Sequence, residues 1–234
     1  MFKFKQHKSK LPLINFDKYL NDNKKLKISK RHSELLPNNI RSIVCGPSNS
    51  GKTNTVFNLL FAQNGVKFSH LNVFTKSHQQ DKYQLLKKIM EQIPEIKFNL
   101  YKDNDEIPHP NDADQNSVMI FDDISMENQQ NIRNYFSMGR HNKIDCFYIC
   151  QTYSSIPKQL IRDNCNLVVA FKQDNRNLQH IYHDHVYPDM SRTEFNALCT
   201  QAWKKNNNEF LVINKECATH NGRYRFGFDR FITI

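Results

Sequence analysis

Short apolar runs alternate with longer amphipathic segments along most of this chain. Six runs are apolar enough to predict buried β-strands, at 42–46, 70–74, 118–123, 144–151, 167–171 and 210–214. Between them, apolar residues at helical spacing predict helices over 53–63, 79–93, 127–139 and 157–164. Strands without a polar face that alternate with helices are typical of a parallel sheet covered on both sides. The pattern therefore predicts an α/β fold with a mainly parallel central sheet.

The ends of this pattern are less regular. The polar stretch 101–117 contains two prolines and predicts a surface loop. Beyond residue 190 we expect a last helix near Trp203 and edge strands within 223–231. A change in composition near 36–40 separates a polar, basic beginning of the chain from the alternating region. We predict two parts, a basic N-terminal extension over 1–35 and a domain over 36–234.

The segment GPSNSGKT joins the first predicted strand to the first predicted helix and fits G-x-x-x-x-G-K-[ST] without exception. In such a loop the glycines let backbone N–H groups turn toward phosphates, and the following helix directs its positive end at them. Lys52 is expected to reach the β and γ phosphates, and the Thr53 hydroxyl to ligate Mg²⁺. We therefore predict ATP and Mg²⁺ as cofactors. The predicted nucleotide-binding residues are Gly46, Pro47, Ser48, Asn49, Ser50, Gly51, Lys52, Thr53 and Asn54.

The third apolar run, VMIFDD, ends in two adjacent carboxylates. Burial of an unpaired carboxylate is very costly, and a metal ion carried by the nucleotide would supply the positive partner. Asp122 is the predicted metal ligand. Asp123 stands where a catalytic base or a water-orienting group would lie, although it is also a candidate N-cap for the following helix.

Two further side chains are candidates for the chemistry. The strand over 144–151 ends at Gln151, at the edge where parallel sheets bind ligands, so its amide is predicted to contact the γ phosphate or the attacking water. A plain polar strand end is the alternative. Phosphoryl transfer also requires cationic charge, often an arginine from a neighbouring subunit. We predict Arg140 for this role, with Arg133 and Arg162 as rivals.

Charge is concentrated at one end of the chain. The net charge is +10, and residues 1–31 hold ten basic and two acidic residues, a net +8. Such an extension favours a polyanion such as nucleic acid as its partner, although a simply solvated extension also fits. No membrane-spanning run or secretory signal is expected, and the scattered cysteines indicate thiols of a reducing compartment. The HIYHDH segment at 180–185 is interpreted as packing or surface histidines rather than a zinc site.

Five segments together resemble a known family: GPSNSGKT, FTKSHQQDKYQLL, VMIFDDI, NIRNYFSMGRHNKIDCFYICQTY and IPKQLIRDN. They resemble the viral genome-packaging ATPases of the FtsK–HerA superfamily, above all the poxvirus-type enzymes of adintoviruses and Maverick/Polinton elements. The likeness extends over roughly 36–234. It implies a P-loop NTPase three-layer sandwich of the additional-strand (ASCE) type. It also implies a ring of five or six subunits that drives double-stranded DNA into a preformed capsid.

The resemblance assigns roles to residues of this chain. Asp122 and Asp123 match the second carboxylate motif, Gln151 matches the polar sensor, and Arg140 lies where an intersubunit arginine is expected. Position 123 is Asp where Glu is commoner in the family, so the resemblance does not decide which residue is the catalytic base. The segment TKSHQQDKY also matches the family, but the resemblance assigns it no chemical role. The implied partners are double-stranded DNA, viral capsid proteins and further copies of the chain, at the site of virion assembly in nucleus or cytoplasm. The alternatives are a small P-loop nucleotide kinase or phosphotransferase, a replicative helicase-type ATPase, or a non-hydrolysing scaffold.

Overall fold

A central sheet organises the part of the chain that the computed structural model describes, residues 30–204 and 208–233. Nine strands of these residues follow the order β3-β2-β4-β5-β1-β6-β7-β8-β9. Strands β1 to β6 are mutually parallel, and β7 to β9 extend the sheet in antiparallel fashion. The strands are β1 (Arg41–Cys45), β2 (His70–Thr75), β3 (Lys97–Tyr101), β4 (Ser117–Asp122), β5 (Asp145–Cys150), β6 (Leu167–Phe171), β7 (Phe210–Asn214), β8 (Tyr224–Phe226) and β9 (Arg230–Ile232).

Helices cover both faces of this sheet. They are α1 (Lys52–Phe61), α2 (Asp81–Met90), α3 (Gln130–Met138), α4 (Asn175–Ile181) and α5 (Arg192–Ala202). The buried side chains of α1 and α2 belong to one apolar cluster, and those of α3, α4 and α5 belong to the other. Every residue of β4, β5 and β6 is buried, because these strands have helices on both sides. The result is the three-layer α/β sandwich predicted from the sequence, and all six predicted strands are present.

The order of the strands positions the ligand edge. Strand β5 lies between β1 and β4, which is the additional strand expected of an ASCE-type NTPase. Because β1, β2, β4 and β5 are parallel, their carboxyl ends lie along one edge of the sheet. The phosphate loop follows β1 at that edge, and the Asp122–Asp123 pair ends β4 there.

The structure differs from the predicted pattern at three places. The helix predicted over 157–164 is a kinked turn, in which Gln159 is extended and Leu160 has a left-handed φ of 68°. There, tertiary contacts override helical spacing, because buried Arg162 pairs with Asp184 at 2.9 Å. Strand β3 was missed because it is half-exposed and lacks the continuous apolar run of the inner strands. Helix α4 was also missed, although Asp174 caps its first turn by accepting from Asn177 N.

The last residues of the basic N-terminal part pack against the domain through the side chains of Arg31 and His32. Arg31 forms an ion pair with Asp145 at 3.0 Å, His32 Nε2 lies 3.0 Å from the same carboxylate, and one compact unit comprises Arg31–Ile234. Part of the predicted 1–35 extension therefore packs with the domain. Residues 1–29, which carry most of its charge, lie outside the described residues.

Two expectations about the chemistry of the described part can be compared with the structure. Of its six cysteines, five are buried and all are free thiols. In HIYHDH, His185 is buried and lies 2.6 Å from the Tyr153 hydroxyl, and burial lowers its pKa to about 3. No helix in the described ranges is long and apolar enough to cross a membrane.

Candidate functional site

The phosphate loop is shaped by two glycines. A Cβ at Gly46 would lie 2.5 Å from Cβ of Phe171 in β6, so no side chain fits where the loop leaves β1. Gly51, the N-cap of α1, has a φ of +94°, a conformation that glycine adopts without strain. These glycines let the backbone curve tightly enough to place the N-terminus of α1 at the sheet edge.

Lys52 folds back over this loop. Its Nζ donates hydrogen bonds to the carbonyls of Gly46 at 2.7 Å and Pro47 at 2.6 Å. Burial lowers the pKa of Lys52, and the nearby Asp122 carboxylate opposes that shift. The ammonium is therefore held within the loop, where the phosphates of a nucleotide would lie.

Asp122 lies in direct contact with the first turn of α1. Its Oδ2 accepts a hydrogen bond from the Thr53 hydroxyl at 2.9 Å and a second one from the Tyr83 hydroxyl. The residue is buried, and this burial raises the pKa of Asp122, while the bonds from Tyr83 and Thr53 act to lower it. The structure thus brings together Lys52, Thr53 and Asp122, as expected from the ends of β1 and β4.

Asp123 and Gln151 lie in the same cleft, whose volume is about 430 Å³. Asp123 is exposed, has a φ of 57° and accepts a hydrogen bond from the Ser77 hydroxyl at 3.2 Å. Helix α3 begins at Gln130 with Gln129 as its N-cap, so the N-cap alternative for Asp123 is wrong. Gln151 directly follows β5, and its exposed amide has no protein partner among the described residues. Both side chains are free to contact a bound group.

The three candidate arginines have different surroundings. Arg140 is exposed in the turn Gly139–Asn142, which precedes β5 and therefore lies at the opposite edge of the sheet from the phosphate loop. Its role stays a prediction, and that role requires a second subunit. Arg162 is already paired with Asp184 and lies 5.3 Å from the Tyr153 ring centroid. Arg133 is half-buried, and its Nε has no partner in the described part of the chain.

The sequence did not identify the residues that close the cleft opposite the loop. Ser77, Gln80, Lys82 and Tyr83 all line it, from the segment between β2 and the first turn of α2. Lys82 Nζ donates to the Thr53 hydroxyl at 3.2 Å. The one available signal was the TKSHQQDKY resemblance, which marked this segment without indicating its chemistry.

Comparison with known proteins fits this arrangement. The sequence profile of the Poxvirus A32 protein family matches residues 28–214, most of the chain. The chain belongs to the poxvirus A32 protein family. This confirms the family predicted from the sequence. Among curated proteins, no significant match to the A32 family chain was found.

Solved structures similar to this A32 family chain have the same fold. One is the genome packaging NTPase B204 from Sulfolobus turreted icosahedral virus 2 in complex with ATP-gammaS. It is 13% identical, with 82% of this chain and 98% of that chain covered and a TM-score of 0.53. The AMP complex has 11% identity, the same coverage and a TM-score of 0.55. The DNA-packaging ATPase B204 from Sulfolobus turreted icosahedral virus has 12% identity, coverage of 80% and 95%, and a TM-score of 0.52.

Proposed function

We propose that this chain is an ATP-driven double-stranded DNA translocase that packages a viral genome into a preformed capsid. The observation that carries the proposal is the 2.9 Å contact between Thr53 of the phosphate loop and Asp122 at the end of β4. Membership of the A32 family supports the viral context. The fold shared with B204, whose complexes include ATP-gammaS, supports nucleotide binding and packaging. No contact in the described residues favours the kinase, helicase or scaffold alternatives.

The residues present fit a magnesium nucleotide. Thr53 and Asp122 provide a hydroxyl and a carboxylate oxygen, the hard ligands that Mg²⁺ prefers. Asp122 is a buried carboxylate that accepts hydrogen bonds from two hydroxyl groups and forms no ion pair among the described residues, although the fields of Lys52 and Lys82 reach it. Its oxygens can therefore still ligate a metal ion. Residues 46–54 would hold the phosphates, and Thr53 and Asp122 would hold the metal. Bound Mg²⁺ would neutralise charge on the phosphate oxygens.

The chain's own side chains would supply positioning and charge. Lys52 would exchange the loop carbonyls of Gly46 and Pro47 for phosphate oxygens. Asp123 and Gln151, at adjacent strand ends, would orient the attacking water. Arg140, at the far edge of the sheet, would reach the cleft of the next subunit in a ring. Phosphoryl transfer depends chiefly on such positioning and on electrostatic stabilisation.

The partners follow from the charge and the family. We propose that the basic extension, whose residues 1–31 carry a net charge of +8, contacts DNA phosphates or an acidic capsid protein, while residues 36–234 form the ATPase domain. Contacts to DNA phosphates would make binding strongly salt-dependent. A homo-oligomeric ring of five or six subunits at the site of virion assembly completes the proposal.

The test is release of inorganic phosphate by purified protein, with and without linear double-stranded DNA, together with the mass of the protein in solution. We expect Mg²⁺-dependent release that DNA stimulates, and its loss in Lys52→Ala. Transfer of phosphate to an added nucleoside monophosphate by a monomer would instead indicate the kinase. Strand separation of a forked duplex would indicate the helicase, and ATP binding without turnover would indicate the scaffold.

A further inference from the structure

The wall of the cleft opposite the phosphate loop carries a second lysine. We propose that the first turn of α2 is a second phosphate-binding element, in which Lys82 contacts the terminal phosphate and Tyr83 positions that lysine. Lys82 would act within its own subunit, in addition to Lys52 and to any arginine from a neighbour. The inference rests on the proposed function, because it assigns a ligand to the same site.

The geometry directs the Lys82 ammonium into the cleft. Its Nζ lies 3.2 Å from the hydroxyl of Thr53 and 5.4 Å from the ring centroid of Tyr83. The side chain is half-buried and lines the cleft that holds Lys52 and Asp122. Lys82 therefore faces the phosphate loop from the side of the predicted metal ligands.

Neighbouring lysines show that this arrangement is particular to Lys82. Lys76 pairs with Asp103 at 3.0 Å and Glu127 at 3.6 Å, and Lys87 pairs with Glu91 at 4.0 Å on the exposed side of α2. Lys82 has no carboxylate within ion-pair distance among the described residues. Its hydrogen bond goes to the neutral Thr53 hydroxyl, and the Asp122 carboxylate acts on it only through space. An ammonium held in a cleft without a direct ion pair is suited to an anionic ligand.

Charge within the cleft favours the same conclusion. Lys52 and Lys82 line the same cleft, and Lys82 Nζ lies 3.2 Å from the hydroxyl of Thr53, the residue after Lys52, so the two ammonium groups repel each other. An anion placed between two ammonium groups relieves this repulsion and gains two charge-assisted hydrogen bonds. The loop cradles the inner phosphates of a P-loop nucleotide, so the group that extends toward Thr53, Asp122 and Lys82 is the terminal phosphate.

Tyr83 gives Lys82 a rigid support. Its side chain is buried, its hydroxyl donates to Asp122, and its ring packs edge-on against Phe57 of α1 with centroids 5.9 Å apart. The first turn of α2 is thereby fixed both to the end of β4 and to the helix that follows the phosphate loop. Lys82 is presented from this fixed turn, so a change in Tyr83 would displace the ammonium without removing it.

Calorimetric titration of the full chain with two magnesium nucleotides tests the inference. The probes are AMPPCP, which has a terminal phosphate and resists hydrolysis, and ADP, which lacks that phosphate. We expect Lys82→Met to weaken AMPPCP binding about tenfold or more while ADP binding changes less than about threefold. Lys82→Arg keeps the charge and should retain most of the AMPPCP affinity. Lys88→Met, on the exposed side of the same helix, is the matched control and should leave both affinities unchanged.

The Tyr83→Phe variant separates the role of the Tyr83 hydroxyl in positioning Lys82 from the packing of the Tyr83 ring. The phenyl ring preserves the contact with Phe57 but removes the hydroxyl that binds Asp122. We expect the variant to keep the unfolding temperature within a few degrees, to bind ADP nearly as well, and to lose part of the preference for AMPPCP. Equal loss of both nucleotides would mean that Tyr83 does not position Lys82.

The outcomes separate this inference from the proposed function. If wild-type protein binds both nucleotides but Lys82→Met weakens them equally, or weakens neither, the inference is overturned while the motor proposal stands. If the Lys82 effect is present but DNA and ATP yield no phosphate release, the proposed function falls alone. If wild-type protein binds neither nucleotide, both fall.

Discussion

The two edges of the parallel sheet each bury an aspartate, and the two carboxylates have opposite surroundings. At the amino edge, Asp145 is fully buried, pairs with Arg31 and His32 at 3.0 Å, and accepts the Ile40 N–H at 2.7 Å. At the carboxyl edge, Asp122 is buried with two hydroxyl partners and no ion pair among the described residues. Asp145 has a positive partner within the chain, Arg31, which indicates a structural role. Asp122 forms no such ion pair and is reached only by the fields of Lys52 and Lys82, which indicates that its oxygens serve a bound ligand.

The largest expected effect is at the carboxyl edge. Asp122→Asn keeps a similar shape but removes the charge that would hold the metal, so we expect ATP turnover to fall on the order of a hundredfold or more. Relief of a buried, unpaired charge should leave the unfolding temperature unchanged or higher. Phosphate release and thermal unfolding, measured on the same preparation, check both parts. A fully active Asp122→Asn protein would remove the distinction between the two edges.

An Arg140 variant tests whether the amino edge of one subunit contributes an arginine to the nucleotide cleft at the carboxyl edge of another. Arg140→Ala should leave AMPPCP affinity nearly intact and lower turnover by about tenfold to a hundredfold. The arginine would stabilise the negative charge of the terminal phosphate in the transition state and not in the bound ground state, so its removal affects turnover alone. The measurement is phosphate release by each variant alone and in mixture with Asp123→Asn. Mixing should restore part of the turnover, since some interfaces then combine an intact Arg140 with an intact Asp123. Without any rescue, Arg140 does not act across an interface.

At the amino edge the expected effect is on stability. Asp145→Asn leaves Arg31 and His32 without their carboxylate, and we expect a loss of about 3 kcal/mol in the free energy of unfolding. Denaturant unfolding measures this loss, and turnover per folded molecule should stay unchanged. Asp114→Asn is the control, because its pair with Lys97 is solvent-exposed and should contribute less than about 1 kcal/mol. Equal effects at the two positions would mean that Asp145 is not a structural anchor.

The smallest expected effect concerns His185, which is buried neutral beside Tyr153. Because burial lowers its pKa to about 3, the unfolded chain binds more protons than the folded one between that value and about 6.5. The associated stability is therefore complete above about pH 6.5 and is lost as the pH falls, by about 2 kcal/mol at pH 5. Unfolding of wild type and His185→Gln across this range should show a shallower pH dependence in the variant. Parallel curves would exclude His185 as the source.

The sequence was informative wherever one local signal determined the geometry. Continuous apolar runs located the inner strands, and the glycines at 46 and 51 with Lys52 and Thr53 located the phosphate loop. The placement of Asp122 beside Thr53 followed from strand direction, because parallel strands bring their carboxyl ends to one edge.

The remaining features depend on contacts between distant segments. Lys82 and Tyr83 reach Thr53 and Asp122 only because α2 packs beside α1, and no spacing within TKSHQQDKY encodes that distance. The kink at Leu160 likewise follows from the pairing of Arg162 with Asp184. In contrast, the capping box of Ser191 and Glu194 is a local sequence pattern that predicts where α5 begins.

The central claim is that Asp122 and the phosphate loop meet on one metal-bound nucleotide. The most direct test is calorimetric titration of AMPPCP into wild type and Asp122→Asn, each with Mg²⁺ and with a chelator in its place. Wild-type affinity should fall about tenfold without Mg²⁺, and the Asp122→Asn affinity should depend little on the metal. An unchanged Mg²⁺ dependence in Asp122→Asn would contradict the account.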